Sequence, residues 1–116
     1  MVTKSSILII FLLVLFAGCA SPEERAKSIE KKEEPKAFTV LIEQMKFVPA
    51  EIYANEGDTV NWINKDIVDH NVTEEANNAW SSAPLGPGKS WKMVIHKNAD
   101  YFCSIHPVMK GKIFLK

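Results

Sequence analysis

Apolar and polar residues alternate along most of the chain after residue 37. Short segments show either this period of two or a β-branched and aromatic run, with turn residues between them. These segments are 38–42, 51–55, 59–64, 71–73, 89–95, 100–103 and 112–115. Their number and spacing predict an all-β fold, a sandwich or a barrel, with 74–84 as the longest loop.

Most aromatic residues fall on these predicted strands. Trp62, Phe102 and Phe114 occupy strand positions, so we expect them in the core. Trp80 lies in the predicted loop and Trp91 near the start of a strand. The pattern leaves the burial of these two residues open.

The first residues form a different kind of segment. Lys4 precedes eleven consecutive apolar residues, 7–17. Because a membrane-spanning helix needs roughly 20 apolar residues, this run predicts a secretory signal peptide, residues 1–18. Phe16-Ala17-Gly18-Cys19 resembles a lipobox, which predicts cleavage before Cys19 and a lipid on that cysteine. Ordinary cleavage nearby, without a lipid, is the alternative, and both place the mature protein outside the cytoplasm.

Residues 19–36 are predicted to be the lipidated cysteine and a flexible charged linker, because almost nothing between 21 and 36 is apolar. Residues 37–116 are the predicted folded domain, which at about 80 residues buries only a modest core. The 14 basic and 14 acidic residues balance. We therefore expect no nucleic-acid partner.

Three potential metal ligands occur within seven residues near the C-terminus. Cys103, His106 and Met109 follow the spacing Cys-x-x-His-x-x-Met between two predicted strands, and His70 begins an earlier strand. Two histidines and a cysteine with a weak axial methionine are the ligands of blue copper. Zinc sites more often contain four strong ligands and a Cys-x-x-Cys element.

Each of these residues has an ordinary interpretation when taken alone. A single cysteine or methionine is usually a core residue, and a single histidine usually bonds to its neighbours. A disulfide between Cys19 and Cys103 is also open. The joint spacing favours one metal site, whereas His96 lies in a polar turn away from the cluster and is expected to be exposed.

The sequence resembles the cupredoxins of the plastocyanin/azurin family, and among them it is most similar to amicyanin. The resemblance rests on the segments 45–52, 57–64, 70–72 and 103–112, including the two-residue gap between His106 and Met109. It implies a Greek-key β-sandwich, one type 1 copper ion, a periplasmic location and one-electron transfer. The protein is expected to be a monomer. The resemblance implies redox partners such as a c-type cytochrome or a periplasmic dehydrogenase. In true amicyanins the dehydrogenase is methylamine dehydrogenase.

Several residues near the expected site differ from amicyanin. Ile105 stands where a proline usually precedes the histidine ligand, and the loop Asp66–Asp69 carries charge in place of an apolar residue or proline. Ile105 has a backbone N–H that proline lacks, and if this N–H points at the Cys103 thiolate it would favour Cu(I) and raise the reduction potential. The resemblance implies that the Asn71 amide bonds to the sulfur or holds the ligand loop. His106 should lie at the surface, surrounded by apolar residues of the two loops.

Three other functions are alternatives for a chain with a copper site. One is an accessory domain within a larger complex, which is distinguished by whether the purified chain stays monomeric. Storage or delivery of copper in the cell envelope would use the same ligand types, and rapid exchange of the metal with a chelator would favour it. An enzyme is not expected, because four protein ligands leave no open position for a substrate.

Overall fold

The computed structural model describes residue 18 and residues 31–116, and the folded unit comprises Glu33–Lys116. Its strands are β1 Ala37–Glu43, β2 Lys46–Val48, β3 Glu51–Ala54, β4 Thr59–Asn64, β5 Thr73–Glu74, β6 Ser90–Val94, β7 Ala99–Phe102 and β8 Lys110–Leu115. Within the described part of the chain, no helix is long and apolar enough to span a membrane. Residues 1–17 of the predicted signal peptide, Cys19 and most of the predicted linker lie outside the described residues.

The eight strands form two mixed sheets. One sheet has the order β2-β1-β4-β6 and the other the order β3-β8-β7-β5. The pairs β1–β4 and β3–β8 are parallel, and the other pairs are antiparallel. One core cluster takes residues from both sheets. The prediction of an all-β Greek-key sandwich is therefore confirmed.

The core follows the period of two that the sequence predicts. On β4, Val60 and Trp62 are fully buried and alternate with half-buried neighbours. Trp62 is also the centre of an aromatic cluster, with ring centroids 5.4 Å from Trp91, 6.3 Å from Trp80 and 5.5 Å from Tyr101. Both tryptophans that the pattern left open are half-buried against this core.

The prediction that Phe102 and Phe114 belong to the core is wrong. Each follows a residue that takes the inward position, Tyr101 on β7 and Ile113 on β8, and both of those are buried. Because neighbouring side chains on a strand point to opposite faces, the two phenylalanines lie half-buried on the outer face. Phe114 stacks there on Tyr53, with 5.1 Å between ring centroids.

The hairpin that joins β1 and β2 was not predicted. Gln44 and Met45 at its turn have φ values of 52° and 60°, a left-handed conformation that usually requires glycine or asparagine. Both backbone N–H groups donate to the carboxylate of Asp66, over 2.7 and 3.0 Å. A side chain about twenty residues away therefore stabilises this turn, and no local sequence signal reports it.

The loop after β5 is also shaped by one carboxylate. The strand lies at 73–74 instead of the predicted 71–73, and most of 74–84 is irregular, as predicted. The Glu74 carboxylate accepts the backbone N–H groups of Ala76, Asn77 and Ala79 at 3.2, 2.7 and 3.1 Å. These bonds hold the loop that carries Trp80 in one conformation.

The two ends of the sandwich have different roles. We call the end where β4 and β7 finish and β8 begins the ligand pole, and the end where β1 and β4 begin the base. At the base, Lys36 donates its N–H to Asp58 over 2.7 Å and accepts the Thr59 N–H over 2.9 Å. The chain therefore enters the domain at the end opposite the predicted ligands.

Candidate metal centre

The loop from Cys103 to Met109 joins β7 to β8 at the ligand pole. The Cys103 N–H donates to the Met109 carbonyl over 3.1 Å, and the Met109 N–H donates to the His106 carbonyl over 3.0 Å. These bonds close the loop on itself. As a result, the three predicted ligands that it carries are held close together, with Cys103 and Met109 buried and His106 half-buried.

His70 reaches the same place from the loop between β4 and β5. Its backbone exchanges two hydrogen bonds with Leu85, of 3.1 and 2.7 Å, and its side chain is fully buried. The loop is shaped by Asn64, whose side-chain amide donates to the carbonyls of Val68 and Leu85 over 2.8 Å each. The backbone of His70 is therefore held by its bonds to Leu85, and the loop before it is held by the Asn64 side chain.

Three donor atoms converge between these loops. His70 Nδ1 lies 3.8 Å from Cys103 Sγ and 3.2 Å from His106 Nδ1, and the remaining pair, Sγ and His106 Nδ1, is 4.0 Å apart. Three donors placed about 2.0 to 2.3 Å from one ion, with angles of roughly 105° to 120° at the ion, would stand about 3.2 to 4.0 Å apart. The donors therefore have the spacing that a single metal ion requires.

The chemistry of the donors indicates which metal fits. A thiolate and two imidazoles that surround one point in a plane, beside a buried thioether on the same loop, are typical of type 1 copper. Met109 is only 2% exposed and ends the loop that carries two of the donors. The residues present thus suit copper better than a hard cation, which would prefer oxygen ligands.

Asp66 contacts a proposed metal ligand, and the sequence did not predict this contact. Its Oδ2 lies 2.8 Å from His70 Nε2, the ring nitrogen that faces away from the donor cluster. Burial opposes ionisation of this carboxyl group, but the Met45 N–H, the His70 ring and the Gln44 N–H outweigh it and hold the pKa of Asp66 below its usual value. The charged loop residue therefore orients the histidine and leaves Nδ1 free for a metal.

The cysteine sulfur accepts a hydrogen bond from the backbone N–H of Asn71 over 3.4 Å. The Asn71 side chain holds the ligand loop, since its Oδ1 accepts the Ser104 N–H over 2.7 Å. The side-chain amide of Asn71 therefore holds the ligand loop, which was one of the two expected roles, and the bond to the sulfur comes from the backbone. Within residues 31–116, the backbone N–H that donates to the Cys103 sulfur is that of Asn71 and not that of Ile105, so the condition of the Ile105 hypothesis is not met in this structure.

Exposed apolar side chains lie in both loops that carry the donors, on either side of His106 in one loop and just before His70 in the other. Val108 and Ile67 are 85% and 92% exposed, whereas Ile105 and Val68 are 43% and 42% exposed. Pro107, beside His106, is exposed too. We call these five residues the apolar patch. His96 lies elsewhere and is exposed, as predicted.

The fold and the donors together define a small β-sandwich metalloprotein with one metal centre at one end of its sheets. A family model for copper-binding proteins of the plastocyanin/azurin family matches residues 36–116. The chain belongs to this family, and copper is its cofactor, with one ion per chain.

The curated relatives that match include three amicyanins. The amicyanin of Paracoccus denitrificans is 33% identical over 86 residues, which cover 69% of this chain and 66% of that protein. For Paracoccus versutus amicyanin the identity is 29%, covering 69% of this chain and 65% of the relative. The chain thus spans about two thirds of the length of both. Amicyanin-alpha of Methylorubrum extorquens is 30% identical over 114 residues, covering 91% of this chain and 96% of that protein.

Solved structures show the same similarity. A Cu(I) form of a methionine-to-alanine variant of amicyanin superposes with a TM-score of 0.65 at 28% identity, covering 74% of this chain and 88% of that one. A copper-containing nitrite reductase from Thermus scotoductus SA-01 gives a TM-score of 0.64 at 26% identity, covering 72% of this chain but 23% of the reductase chain. The fold therefore also occurs as one part of a larger protein.

Proposed function

We propose that this protein carries single electrons on one type 1 copper ion held by His70, Cys103, His106 and Met109. The observation that carries this proposal is the convergence of three donor atoms, separated by 3.2 to 4.0 Å, next to a buried methionine on the same loop. Bound copper supplies the redox chemistry by alternating between Cu(II) and Cu(I). The family of the chain and its similarity to amicyanins support the same function.

The residues around the donors favour electron transfer because they limit movement. A carrier works fastest when its ligands need not move as the metal changes charge. The backbone bonds to Leu85 hold His70, and bonds within the ligand loop hold Cys103 and Met109. The proposed site has four protein ligands and no open position, so we propose no catalysis on a substrate.

The apolar patch is the proposed docking surface. Electron-transfer interfaces are small and transient, and exposed apolar patches mark such contacts. His106 is half-buried between the exposed Ile105 and Pro107, so a partner that covers the patch would approach the metal through the His106 side chain. By similarity to amicyanins, the partners would be redox proteins such as a c-type cytochrome or a periplasmic dehydrogenase.

We also propose that the domain, residues 37–116, works outside the cytoplasm as a monomer on a lipid anchor. Residues 1–18 would be removed, Cys19 would carry the lipid and residues 19–36 would form the linker. The mass of the mature protein tests this arrangement. A chain that begins at Cys19 and carries a diacylglycerol supports it, whereas a chain that begins elsewhere without added mass overturns the anchor.

A visible spectrum of residues 20–116 after addition of Cu(II) tests the copper assignment. An intense blue absorption from the thiolate-to-copper charge transfer, lost in Cys103→Ser, would support it. A colourless protein would show that these residues do not form the proposed site. Rapid loss of copper to a chelator, even from a blue protein, would favour copper storage or delivery instead.

A further inference from the structure

A chain of hydrogen bonds runs from the ligand loop through the interior to the protein surface. At its inner end, Asn71 and Ser104 are joined twice, by the Ser104 N–H to Asn71 Oδ1 over 2.7 Å and by Asn71 Nδ2 to Ser104 Oγ over 2.5 Å. The hydroxyl of Thr73 donates to the same Asn71 Oδ1 over 3.4 Å. The Asn71 amide is thus held from the ligand loop and from β5.

At its outer end, the chain reaches an exposed serine. Thr73 Oγ1 lies 2.7 Å from Ser81 Oγ, and the two residues pair as an isolated β-bridge. A hydroxyl group has one proton to give. Ser81 can give its proton to Thr73 Oγ1 or to the Ser82 carbonyl, which lies 3.2 Å away. When Ser81 donates to Thr73, over the shorter distance, the Thr73 proton is directed to Asn71 Oδ1. Thr73 is only 5% exposed, whereas Ser81 is exposed.

Asn71 matters to the metal through its backbone, not through its side chain. Its N–H is the group that donates to Cys103 Sγ over 3.4 Å. A hydrogen bond to a thiolate withdraws negative charge from the sulfur and so favours Cu(I) over Cu(II). The orientation of Asn71 therefore affects the reduction potential.

We propose that Thr73 and Ser81 are positioning residues for the copper site. Their hydroxyl groups hold the Asn71 amide in place, which aligns the Asn71 N–H with the sulfur and raises the reduction potential. Neither residue is among the proposed ligands, and Ser81 lies on the loop that carries Trp80. This inference rests on the proposed copper function, because a potential can be measured only if copper binds at Cys103.

Three variants separate this role from simple packing. Thr73→Val keeps the shape and removes the hydroxyl, Thr73→Ser keeps the hydroxyl and removes the methyl group, and Ser81→Ala removes the outer hydroxyl at an exposed position. We expect lower reduction potentials for Thr73→Val and Ser81→Ala, and a potential close to the unmodified protein for Thr73→Ser. In the Cu(I) protein, hydrogen exchange at the Ser104 N–H should be roughly five-fold faster in the first two variants, the effect of one weakened hydrogen bond.

The outcomes are distinct. An unchanged potential in Thr73→Val with reduced thermal stability would overturn the inference, because Thr73 would then only stabilise the fold. A shift in Thr73→Ser equal to that in Thr73→Val would overturn it as well. If Thr73→Val does not fold, the reduction potential of Ser81→Ala alone tests the inference. Absence of blue absorption in the unmodified protein would refute the copper assignment, whereas a blue protein with unchanged potentials would refute only this inference.

Discussion

The imidazole of His70 is held by the carboxylate of Asp66, with 2.8 Å between Nε2 and Oδ2. Asp66 also accepts two backbone N–H groups from the turn between β1 and β2. One carboxylate therefore fixes both a hairpin turn and a proposed metal ligand. The loop that differs in charge from amicyanins contains this carboxylate.

We expect Asp66→Asn to weaken copper binding and raise the reduction potential. The substitution removes a negative charge beside His70 that stabilises Cu(II), and loss of such a partner typically lowers metal affinity about 10- to 100-fold. Competition titration with a chelator and voltammetry would measure the two effects. Asp69→Asn is the control, since that exposed carboxylate lies in the same loop. Equal effects of both substitutions would mean that general charge, not the bond to His70, matters.

The apolar patch can be tested without knowing the partner, through electron self-exchange between two copies of the protein. Val108→Asp should slow self-exchange by roughly tenfold or more, because it places like charges opposite each other when two patches meet. Line broadening in NMR spectra of mixed Cu(I) and Cu(II) protein gives the rate. Val94→Asp, at a position 46% exposed on β6, is the control. A rate unaffected by Val108→Asp would exclude the patch as the contact surface.

Glu74→Gln should make the copper-free protein less stable near neutral pH but not under strongly acidic conditions. The N–H groups of Asn77 and Ala79 are the main reason that the pKa of Glu74 lies below its usual value of 4.5. A carboxyl group with a lowered folded-state pKa contributes stability above the unfolded value and loses it as the pH falls through the folded value. Thermal unfolding from pH 7 to pH 3 should show the two proteins converging below pH 4.5.

Glu75→Gln is the matched control for this comparison. The Glu75 carboxylate is at the surface beside Lys110 and bonds to no loop N–H. It should not reproduce the convergence. A constant difference in stability between Glu74→Gln and the unmodified protein at every pH would contradict the proposed role of the carboxylate.

Gly111→Ala should destabilise the fold by about 1 to 3 kcal/mol, the usual cost of overpacking a core. A Cβ atom at this position would overlap the ring of Tyr101, the residue that pairs with Gly111 on the neighbouring strand. Chemical denaturation of the copper-free protein measures the change. Gly86→Ala provides the control, because there the nearest atom to a Cβ would be Asp69 Oδ1 at 3.5 Å. Similar losses in both variants would argue against a specific clash.

Tyr101→Phe should change stability at neutral pH by no more than about 1 kcal/mol, because the buried hydroxyl has no hydrogen-bond partner to lose. Burial raises the pKa of Tyr101 to about 12. The unfolded chain releases the phenol proton near pH 10, so the unmodified protein loses stability between pH 10 and about 12. The variant should lose less over this range, and parallel curves would contradict the assignment.

Local patterns in the sequence predicted most of the strands and the donor set. Val60 and Trp62 alternate with more polar residues, so their burial could be read directly. On β7 and β8 the period of two was ambiguous, because apolar residues occupy both faces. Phe102 was therefore assigned to the core position that Tyr101 takes.

The part of the site that could not be predicted depends on contacts between distant segments. Cys103, His106 and Met109 lie within one loop, so their spacing alone suggests a shared ion. Asp66 acts on His70 and on the turn at Gln44 because the fold brings these segments together. Only the folded sheets, in which β1 pairs with β4, make that arrangement visible.

The entry of the chain at Lys36, bonded to Asp58 and Thr59 at the base, also has a mechanical consequence. β1 and β4 both run from this end toward the ligand pole, over about 20 Å for the seven residues of β1. The proposed linker would therefore load the domain at the end away from the proposed copper ligands, and the edge that carries His106 would stay accessible to a partner.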